Sequence, residues 1–227
     1  MKRYELRLID MLQNQITARG MTTPAILEAM QRAPRHLFVP DELRHAAYED
    51  HPLNLPADRS TISQPYMVAY MADALACEPQ HRVLEIGAGS GYQAAVLSYL
   101  CAQVYTVERY ENLVQNAIQS IQSVQRDNVN FKIGDGLQGW PEHAPFDRII
   151  VTAAAKKPPR ALAEQLTMGG LMLIPLGDSQ IQTLTRIQRT EDGYKAEALI
   201  PCVFVPLVSD QGDLTEIENH DWIEIVE

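Results

Sequence analysis

The feature that most constrains the fold of this chain is a series of short apolar segments between residues 82 and 175, most of which end at a glycine or an acidic residue. These segments predict strands at 82–86, 104–107, 129–133, 146–152 and 171–175. Apolar residues recur at helical spacing between them and predict helices at 92–100, 111–124 and 159–166. Because strands that alternate with helices indicate a parallel sheet covered on both faces, we expect a Rossmann-like doubly wound, mostly parallel α/β sheet.

The segments before and after this region follow other patterns. Helices are predicted at 4–19, 22–32 and 65–76, with a proline-containing loop at 38–60. A turn is predicted at Gly169-Gly170, and two strands without an intervening helix, 183–188 and 194–207, predict an antiparallel C-terminal end of the sheet. We expect one domain at 1–208, with N-terminal helices and a loop at 1–76 and the sheet at 77–208.

Residues 209–227 form an acidic C-terminal extension. No Lys or Arg follows Lys195, so much of the net charge of −10 lies at this end of the chain. Residues alternate in character over 214–218 and 221–225, on either side of Asn219-His220. Alternation around a two-residue turn predicts a hairpin, and a partly ordered tail is the alternative.

Composition disfavours several classes of partner. With 19 basic and 29 acidic residues, the chain lacks the basic excess of nucleic-acid-binding proteins, so no nucleic acid is expected. No apolar stretch approaches the roughly 18 residues of a membrane span, and the first residues do not resemble a secretion signal, so no membrane partner and a cytoplasmic location are expected. Neither the three cysteines nor the six histidines have metal-ligand spacing, so no metal is expected. The oligomeric state is left open.

The first strand end has the residues of a ligand-binding turn. Glu85 comes just before Gly87, Gly89 and Gly91, and glycines at this position let a ligand approach the backbone. Ligands of open parallel sheets bind beyond the carboxyl ends of the strands. The turn is therefore a candidate binding site, although Gly91 could serve only to pack a helix.

Two further strand ends carry acidic residues. The carboxylate of Glu108 can accept hydrogen bonds from both hydroxyls of a ribose, although it could instead be a solvated acid at a helix start. Asp135, followed by Gly136, can meet an adenine amino group. Three such strand ends in succession favour a nucleoside-containing ligand over three separate structural roles.

The glycine spacing helps to identify this ligand. It is Gly-x-Gly-x-Gly, so the third glycine is misplaced for the pyrophosphate of a nicotinamide or flavin dinucleotide. The carboxylate of Glu85 would also repel a pyrophosphate, whereas it favours a ligand with an amino group and a sulfonium cation. S-adenosylmethionine has these groups and no phosphate, so it is the predicted cofactor; a dinucleotide and a sheet without ligand are the alternatives.

Several motifs resemble those of the protein-L-isoaspartate O-methyltransferases. They are Pro34–Pro40, Ala47–Asp50, Thr61–Ala69, Val83–Gln93, Val107–Arg109, Gly134–Gly136, Trp140–Ala154 and Phe204–Val208. Thr61-Ile62-Ser63-Gln64-Pro65 and Phe204-Val205-Pro206 are more specific than the glycine turn, which many methyltransferases share. The resemblance extends from about residue 5 to residue 208.

This resemblance implies a class I methyltransferase that transfers a methyl group from S-adenosylmethionine to the α-carboxylate of L-isoaspartyl residues in damaged proteins or peptides. It places Thr61 and Ile62 beside the cofactor and makes Ser63 the active-site serine. We expect Ser63 to position the acceptor carboxylate or the cofactor, and no base is required because a carboxylate is ionised at pH 7. Ser63 could also act as the N-cap of the following helix.

The chain departs from the family pattern near the acceptor. Residues 54–60 lack the glycines that the family carries before Thr-Ile-Ser, and Val203 stands where many bacterial members have an arginine. Arg59 could meet a carboxylate, or be a solvated loop residue. The function that the resemblance implies is the repair of damaged proteins, and these departures leave two alternatives to it. One is a specialised carboxyl methyltransferase that acts on an aspartate of one peptide or partner, and the other is a cofactor-binding scaffold without turnover.

Overall fold

The computed structural model describes residues 2–56, 60–210, 212–216 and 221–226. A seven-stranded sheet forms its centre, made of β3 (Arg82–Ile86), β4 (Gln103–Glu108), β5 (Val129–Ile133), β6 (Phe146–Val151), β7 (Leu166–Gly177), β8 (Gln182–Thr190) and β9 (Gly193–Cys202). Two short strands, β1 (Leu53–Asn54) and β2 (Thr61–Ile62), pair beside it. The order across the main sheet is β5-β4-β3-β6-β7-β8-β9.

The directions of the strands confirm the predicted fold class. β3 to β7 pair in parallel, and β8 and β9 continue the sheet in antiparallel pairs. From β3 the chain moves first towards β5 and then returns to β6 on the other side. This reversal of order leaves a crevice at the carboxyl ends of β3 and β6, where ligands of such sheets bind.

The structure corrects two details near β7. Gly169-Gly170 is not a turn: both residues lie inside β7, in an irregular stretch where pairing passes from Phe146–Leu166 to Arg148–Leu171. The positive φ of Gly169, +78°, fits such a bulge. The helix predicted at 159–166 is only one turn, α6 (Arg160–Ala163). Two glycines permit either a turn or a bulge, and the pairing partner decides between them.

Longer helices cover one face of the sheet. They are α1 (Lys2–Asp10), which continues in helical turns to Arg19, α2 (Pro24–Arg32), α3 (Pro65–Ala74), α4 (Tyr92–Ser98) and α5 (Glu111–Ser123). Their apolar sides form one core with inward residues of the sheet, such as Val83 and Val104. Among the described residues, no helix combines the length and apolar character needed to cross a bilayer.

Arg35 is a fully buried charged residue in this core. Its Nε donates to the carbonyl of Ala47 at 2.7 Å, and its guanidinium lies 5.0 Å from the ring centroid of Tyr92. Both terminal nitrogens lack a hydrogen-bond partner among the described residues, and burial lowers the pKa of Arg35 to about 10. Arg35 therefore connects Ala47 to Tyr92, the first residue of α4.

The other face of the sheet is covered by shorter elements. These are α6, single helical turns at Gly136–Gln138 and Pro141–His143, and parts of the C-terminal extension. Leu214 is 0 % exposed and Ile223 is 4 % exposed. The extension thus supplies apolar side chains to the second core.

The extension is attached by backbone pairing as well. Within it, β10 (Val208–Ser209) pairs with β11 (Gly212–Asp213). Trp222 and Ile225 make isolated bridges with Pro159 and Tyr194. The predicted hairpin stays a prediction, because its turn, Asn219-His220, lies outside the described residues.

Replacing Leu214 by alanine is expected to lower the free energy of unfolding by about 3 kcal/mol, because a fully buried leucine leaves a cavity when truncated. Guanidinium unfolding of the full-length protein measures this. Glu216→Ala, an exposed change two residues away, is the control and should alter stability by less than about 0.5 kcal/mol. Equal, small effects of the two changes would show that the extension is only loosely attached.

Candidate active site

A cavity opens at the carboxyl ends of β3, β4 and β6. Seven of the nine residues predicted for the cofactor and acceptor line it: Thr61, Ile62, Ser63, Gly87, Gly89, Glu108 and Gly136. Glu85 and Asp135 are not among its lining residues. The position of the cavity follows from the reversal of strand order between β3 and β6.

Two glycines of the first turn have separate reasons for being glycine. Gly87 has a φ of +94°, and a Cβ atom there would lie 2.4 Å from the Oγ1 of Thr152. Gly91 has a φ of +80°, and a Cβ atom there would lie 3.0 Å from the Cβ of Ala117 in α5. Gly91 is therefore a packing glycine, which was the alternative at the sequence level, whereas Gly87 shapes the cavity wall.

Four of the N–H groups in this turn are already in use. Gly87 donates to the carbonyl of Val107 at 2.8 Å, Gly89 to Oε2 of Glu108 at 3.0 Å, and Gly91 to the carbonyl of Ala88 at 2.7 Å. The N–H of Tyr92 donates to Oγ of Ser90 at 3.2 Å. A pyrophosphate needs such groups free to donate to it. These four N–H groups are not available to a pyrophosphate, which disfavours a dinucleotide.

Glu108 lies at the end of β4 and is only 7 % exposed. Its Oε1 accepts from the N–H of Tyr110 at 3.1 Å, and its Oε2 accepts from Gly89. These two bonds fix the carboxylate at the cavity wall, and each oxygen keeps further acceptor capacity. Glu108 is therefore not a solvated helix-start acid, and it can accept hydrogen bonds from ribose hydroxyls.

The third strand end is divided between two roles. Gly136 lines the cavity, and a Cβ atom there would lie 2.6 Å from Cγ2 of Ile86. Asp135 caps the following turn, because its Oδ1 accepts from the N–H of Leu137 at 2.9 Å. Its Oδ2 accepts from the N–H of Asp210 at 3.1 Å. Contact of Asp135 with an adenine stays a prediction.

Glu85 points into the protein rather than into the cavity. It is 0 % exposed, and its Oε2 accepts from the hydroxyl of Thr106, whereas Oε1 has no partner among the described residues. Burial raises the pKa of Glu85 to about 8; the Thr106 hydrogen bond opposes this shift, and the nearby Glu108 adds to it. Oε1 is thus a buried acceptor that no described residue satisfies.

Ser63 lies where two cavities meet. The second cavity is lined by Pro52, Thr61, Ser63, Gln64, Met67 and Pro201–Val205, and it shares Thr61, Ser63 and Val205 with the first. Gln64, not Ser63, is the N-cap residue of α3, and it makes no side-chain capping bond. The Ser63 hydroxyl has no hydrogen-bond partner among the described residues. It is thus available to a ligand.

The segment around Ser63 is held by its neighbour. Nε2 of Gln64 donates to Oδ1 of Asp50 at 2.8 Å and to its carbonyl at 3.1 Å. Asp50 also accepts from Arg19, whose guanidinium lies 5.0 Å from the ring centroid of Tyr66. The N-terminal helical region therefore braces the start of α3. Arg59 lies outside the described residues.

Sequence reasoning did not assign several residues that line the first cavity. Val205, Pro206, Leu207 and Val208 cross the end of β6, where the N–H of Ala154 donates to the carbonyl of Val205 at 2.8 Å. Gln93 also lines the cavity, and its Nε2 is buried without a partner among the described residues. The Phe-Val-Pro motif was the available signal for Val205–Val208, and the Val83–Gln93 motif was the available signal for Gln93.

Other chemistry has little support in the described residues. No group of three or more His, Cys, Asp or Glu in these ranges could hold a metal ion. Burial raises the pKa of the Cys77 thiol to about 12 and that of Cys202 to about 11. Neither thiol is a ready nucleophile at neutral pH.

The cavity fits S-adenosylmethionine in three respects. Gly87 and Gly136 leave no room for a side chain where the ligand must approach, Glu108 presents acceptors for a ribose, and Gln93 keeps a buried polar atom without a partner among the described residues. A sheet with this strand order and this cavity defines a class I S-adenosylmethionine-dependent methyltransferase.

Comparison with known proteins identifies the family. The sequence model of the protein-L-isoaspartate(D-aspartate) O-methyltransferases matches residues 6–212, so the chain belongs to this family. Its relatives include proteins named protein-L-isoaspartate O-methyltransferase from Parvibaculum lavamentivorans, 52 % identical over 83 % of this chain and 86 % of the relative, and from Trichlorobacter lovleyi, 47 % identical over 93 % and 98 %. The suspected family, the fold class and the cofactor are thereby confirmed.

Solved structures agree on the fold. A protein-L-isoaspartate O-methyltransferase superposes with a TM-score of 0.78 and 26 % identity, over 93 % of this chain and 67 % of that chain. A Plasmodium falciparum protein described by the same name, solved with S-adenosyl-L-homocysteine, superposes with a TM-score of 0.77 and 24 % identity, over 90 % and 97 %. The family match ends at 212, so Leu214 and the residues after it lie beyond the matched region.

Proposed function

We propose that this protein methylates the free carboxylate of L-isoaspartyl residues in damaged proteins or peptides, and that its second cavity receives this acceptor. The observation that carries the proposal is the junction of the two cavities at Ser63. A methyl transfer needs donor and acceptor to meet in line, and the shared wall of Thr61, Ser63 and Val205 is where they can meet. Family membership supports the choice of acceptor.

The cofactor site would be formed by Gly87, Gly89, Glu108, Gly136 and the segment Val205–Val208. S-adenosylmethionine supplies an electrophilic methyl group on a sulfonium when it is bound. The protein excludes water around this group, since Ile62, Ile86 and Val107 line the same cavity. We place Glu108 on the ribose.

The acceptor cavity has no charged residue among its described lining residues. A carboxylate that enters it gives up water and needs hydrogen-bond donors in return. The amide of Gln64 is bonded to Asp50, whereas the hydroxyls of Ser63 and Thr61 have no partner among the described residues and are free donors. Ser63 thus orients one carboxylate oxygen, and no base is needed because the acceptor is already ionised at neutral pH.

The test is methyl transfer from labelled S-adenosylmethionine to two peptides that differ only in one isoaspartyl or aspartyl residue. Label on the isoaspartyl peptide alone is the expected result. If neither peptide is labelled while S-adenosyl-L-homocysteine binds, the repair proposal fails, and a dedicated carboxyl acceptor becomes the function to pursue. Methylation of both peptides alike would also overturn the proposal.

Replacing Ser63 by alanine is expected to lower kcat/KM for the isoaspartyl peptide about tenfold, because one positioning hydrogen bond is lost. Binding of S-adenosyl-L-homocysteine should change much less. Ser123→Ala, which removes an exposed hydroxyl at the end of α5, is the matched control and should leave the rate unchanged. An unchanged rate for the Ser63 variant would remove Ser63 from the acceptor site.

A further inference from the structure

The two most exposed large apolar side chains among the described residues lie at one end of the same strand pair. Ile181 is 76 % exposed and Val203 is 72 % exposed. The pairing of β8 with β9 reaches Gln182 opposite Cys202, and Ile181 and Val203 are the next residues beyond that pair. Exposed apolar surface of this kind commonly marks a binding site.

Gln182 holds both sides of this patch in place. It is 1 % exposed, and its Nε2 donates to the carbonyls of Asp178 at 3.0 Å and of Phe204 at 3.1 Å. Its Oε1 accepts from the N–H of Phe204 at 2.7 Å. The turn that carries Ile181 and the segment that carries Val203 are therefore joined through one buried amide.

A second set of bonds fixes the turn itself. Oδ1 of Asp178 accepts from the N–H groups of Gln180 and Ile181, both at 2.8 Å. A surface that is already ordered loses little conformational entropy when a ligand covers it. The apolar patch is thus preformed.

The patch is continuous with the acceptor cavity. Val203 lines that cavity together with Ser63, and Val205 lines both cavities. When the isoaspartyl carboxylate of a peptide reaches Ser63, the neighbouring residues of that peptide must lie along the edge of the cavity at Val203. In an extended peptide these residues follow at about 3.5 Å each. A side chain of the same peptide can therefore lie on the apolar patch of Ile181 and Val203.

We propose that Ile181 and Val203 form a specificity subsite for an apolar side chain one or two residues from the isoaspartate. The proposal rests on the repair function argued above. An apolar side chain would cover both residues and remove them from water, whereas a charged side chain would be desolvated against them without a partner. Gln182 acts as a positioning residue for this subsite.

The test uses isoaspartyl peptides that differ at one flanking position only. That position carries Leu, Ser or Glu, and it is placed first on the N-terminal side of the isoaspartate and then on the C-terminal side. The unmodified protein is expected to use a Leu peptide about tenfold better than the Glu peptide in kcat/KM, mainly through KM, for at least one side. Ile181→Ser and Val203→Ser should each bring the ratio towards unity. Because Ile181 lines neither cavity, Ile181→Ser should also leave the rate with the Ser peptide unchanged.

Met168→Ser is the matched control. Met168 is 60 % exposed on β7 of the same sheet, and it lines neither cavity. It should keep the full preference. The proposal is overturned if the unmodified protein treats Leu, Ser and Glu peptides alike, or if both subsite variants keep the preference. Failure of the repair function itself would look different, since no isoaspartyl peptide of the panel would then be labelled.

Discussion

Replacing Gly87 by alanine is expected to raise the dissociation constant of S-adenosyl-L-homocysteine at least about a hundredfold. Two costs combine at this position. A φ of +94° strains any residue with a Cβ atom, and that atom would lie 2.4 Å from Oγ1 of Thr152. The Thr152 hydroxyl is itself within hydrogen-bond distance of the carbonyls of Ile86, at 3.0 Å, and Gly87, at 2.8 Å, so it cannot move away without loss.

Gly20 provides a control that separates strain from collision. Its φ is +90°, close to that of Gly87, but a Cβ atom there would meet nothing within 4 Å. Gly20→Ala should therefore cost about 1 kcal/mol of stability and leave ligand affinity unchanged. Isothermal titration measures affinity and thermal unfolding measures stability. If Gly87→Ala binds the ligand as the unmodified protein does, the assigned cavity wall is wrong.

Replacing Glu85 by glutamine is expected to change how the stability of the ligand-free protein depends on pH. Burial raises the pKa of Glu85 to about 8, from an ordinary value of 4.5. The folded state therefore holds the proton more tightly than the unfolded state does. The stabilisation from this group is complete below pH 4.5 and is lost as the pH rises towards and through 8.

Glutamine stays neutral over this whole range and can still accept from Thr106. The free energy of unfolding of Glu85→Gln, relative to the unmodified protein, should thus rise by roughly 4 kcal/mol between pH 5 and pH 8. Urea unfolding at several pH values measures the difference, in which the other titrating groups cancel. Glu224→Gln, at an exposed carboxylate, is the control. Parallel curves for Glu85→Gln and the unmodified protein would show that Glu85 ionises freely in the fold.

Much of the fold could be predicted because its signals are local. Strand β5, predicted at 129–133, is found at Val129–Ile133, and α5, predicted at 111–124, is found at Glu111–Ser123. Both follow from the spacing of apolar residues, which any buried strand or amphipathic helix must satisfy. The departures occur where packing decides, as in the bulge of β7 and the short α6.

The candidate site shows the same division. The glycines and Glu108 could be placed from sequence because they follow strands, and strand ends meet at one edge of a parallel sheet. Glu85 was expected beside the ligand, but the structure buries its side chain next to Thr106. Which side of a doubly covered strand a residue faces depends on its neighbours in the sheet, and a local pattern does not contain them.

The sequence by itself determined the succession of strands and helices along the chain and the position of the glycine turn at Gly87. It also contained the motifs that identify the family. The tertiary structure alone decided that Ser63 lies between two cavities, that Gln182 ties the rim at Ile181 to the rim at Val203, and that Leu214 completes the second core. The reason is physical. Backbone conformation and apolar spacing depend on residues close in the chain, whereas cavities and shared cores depend on segments that meet only after folding.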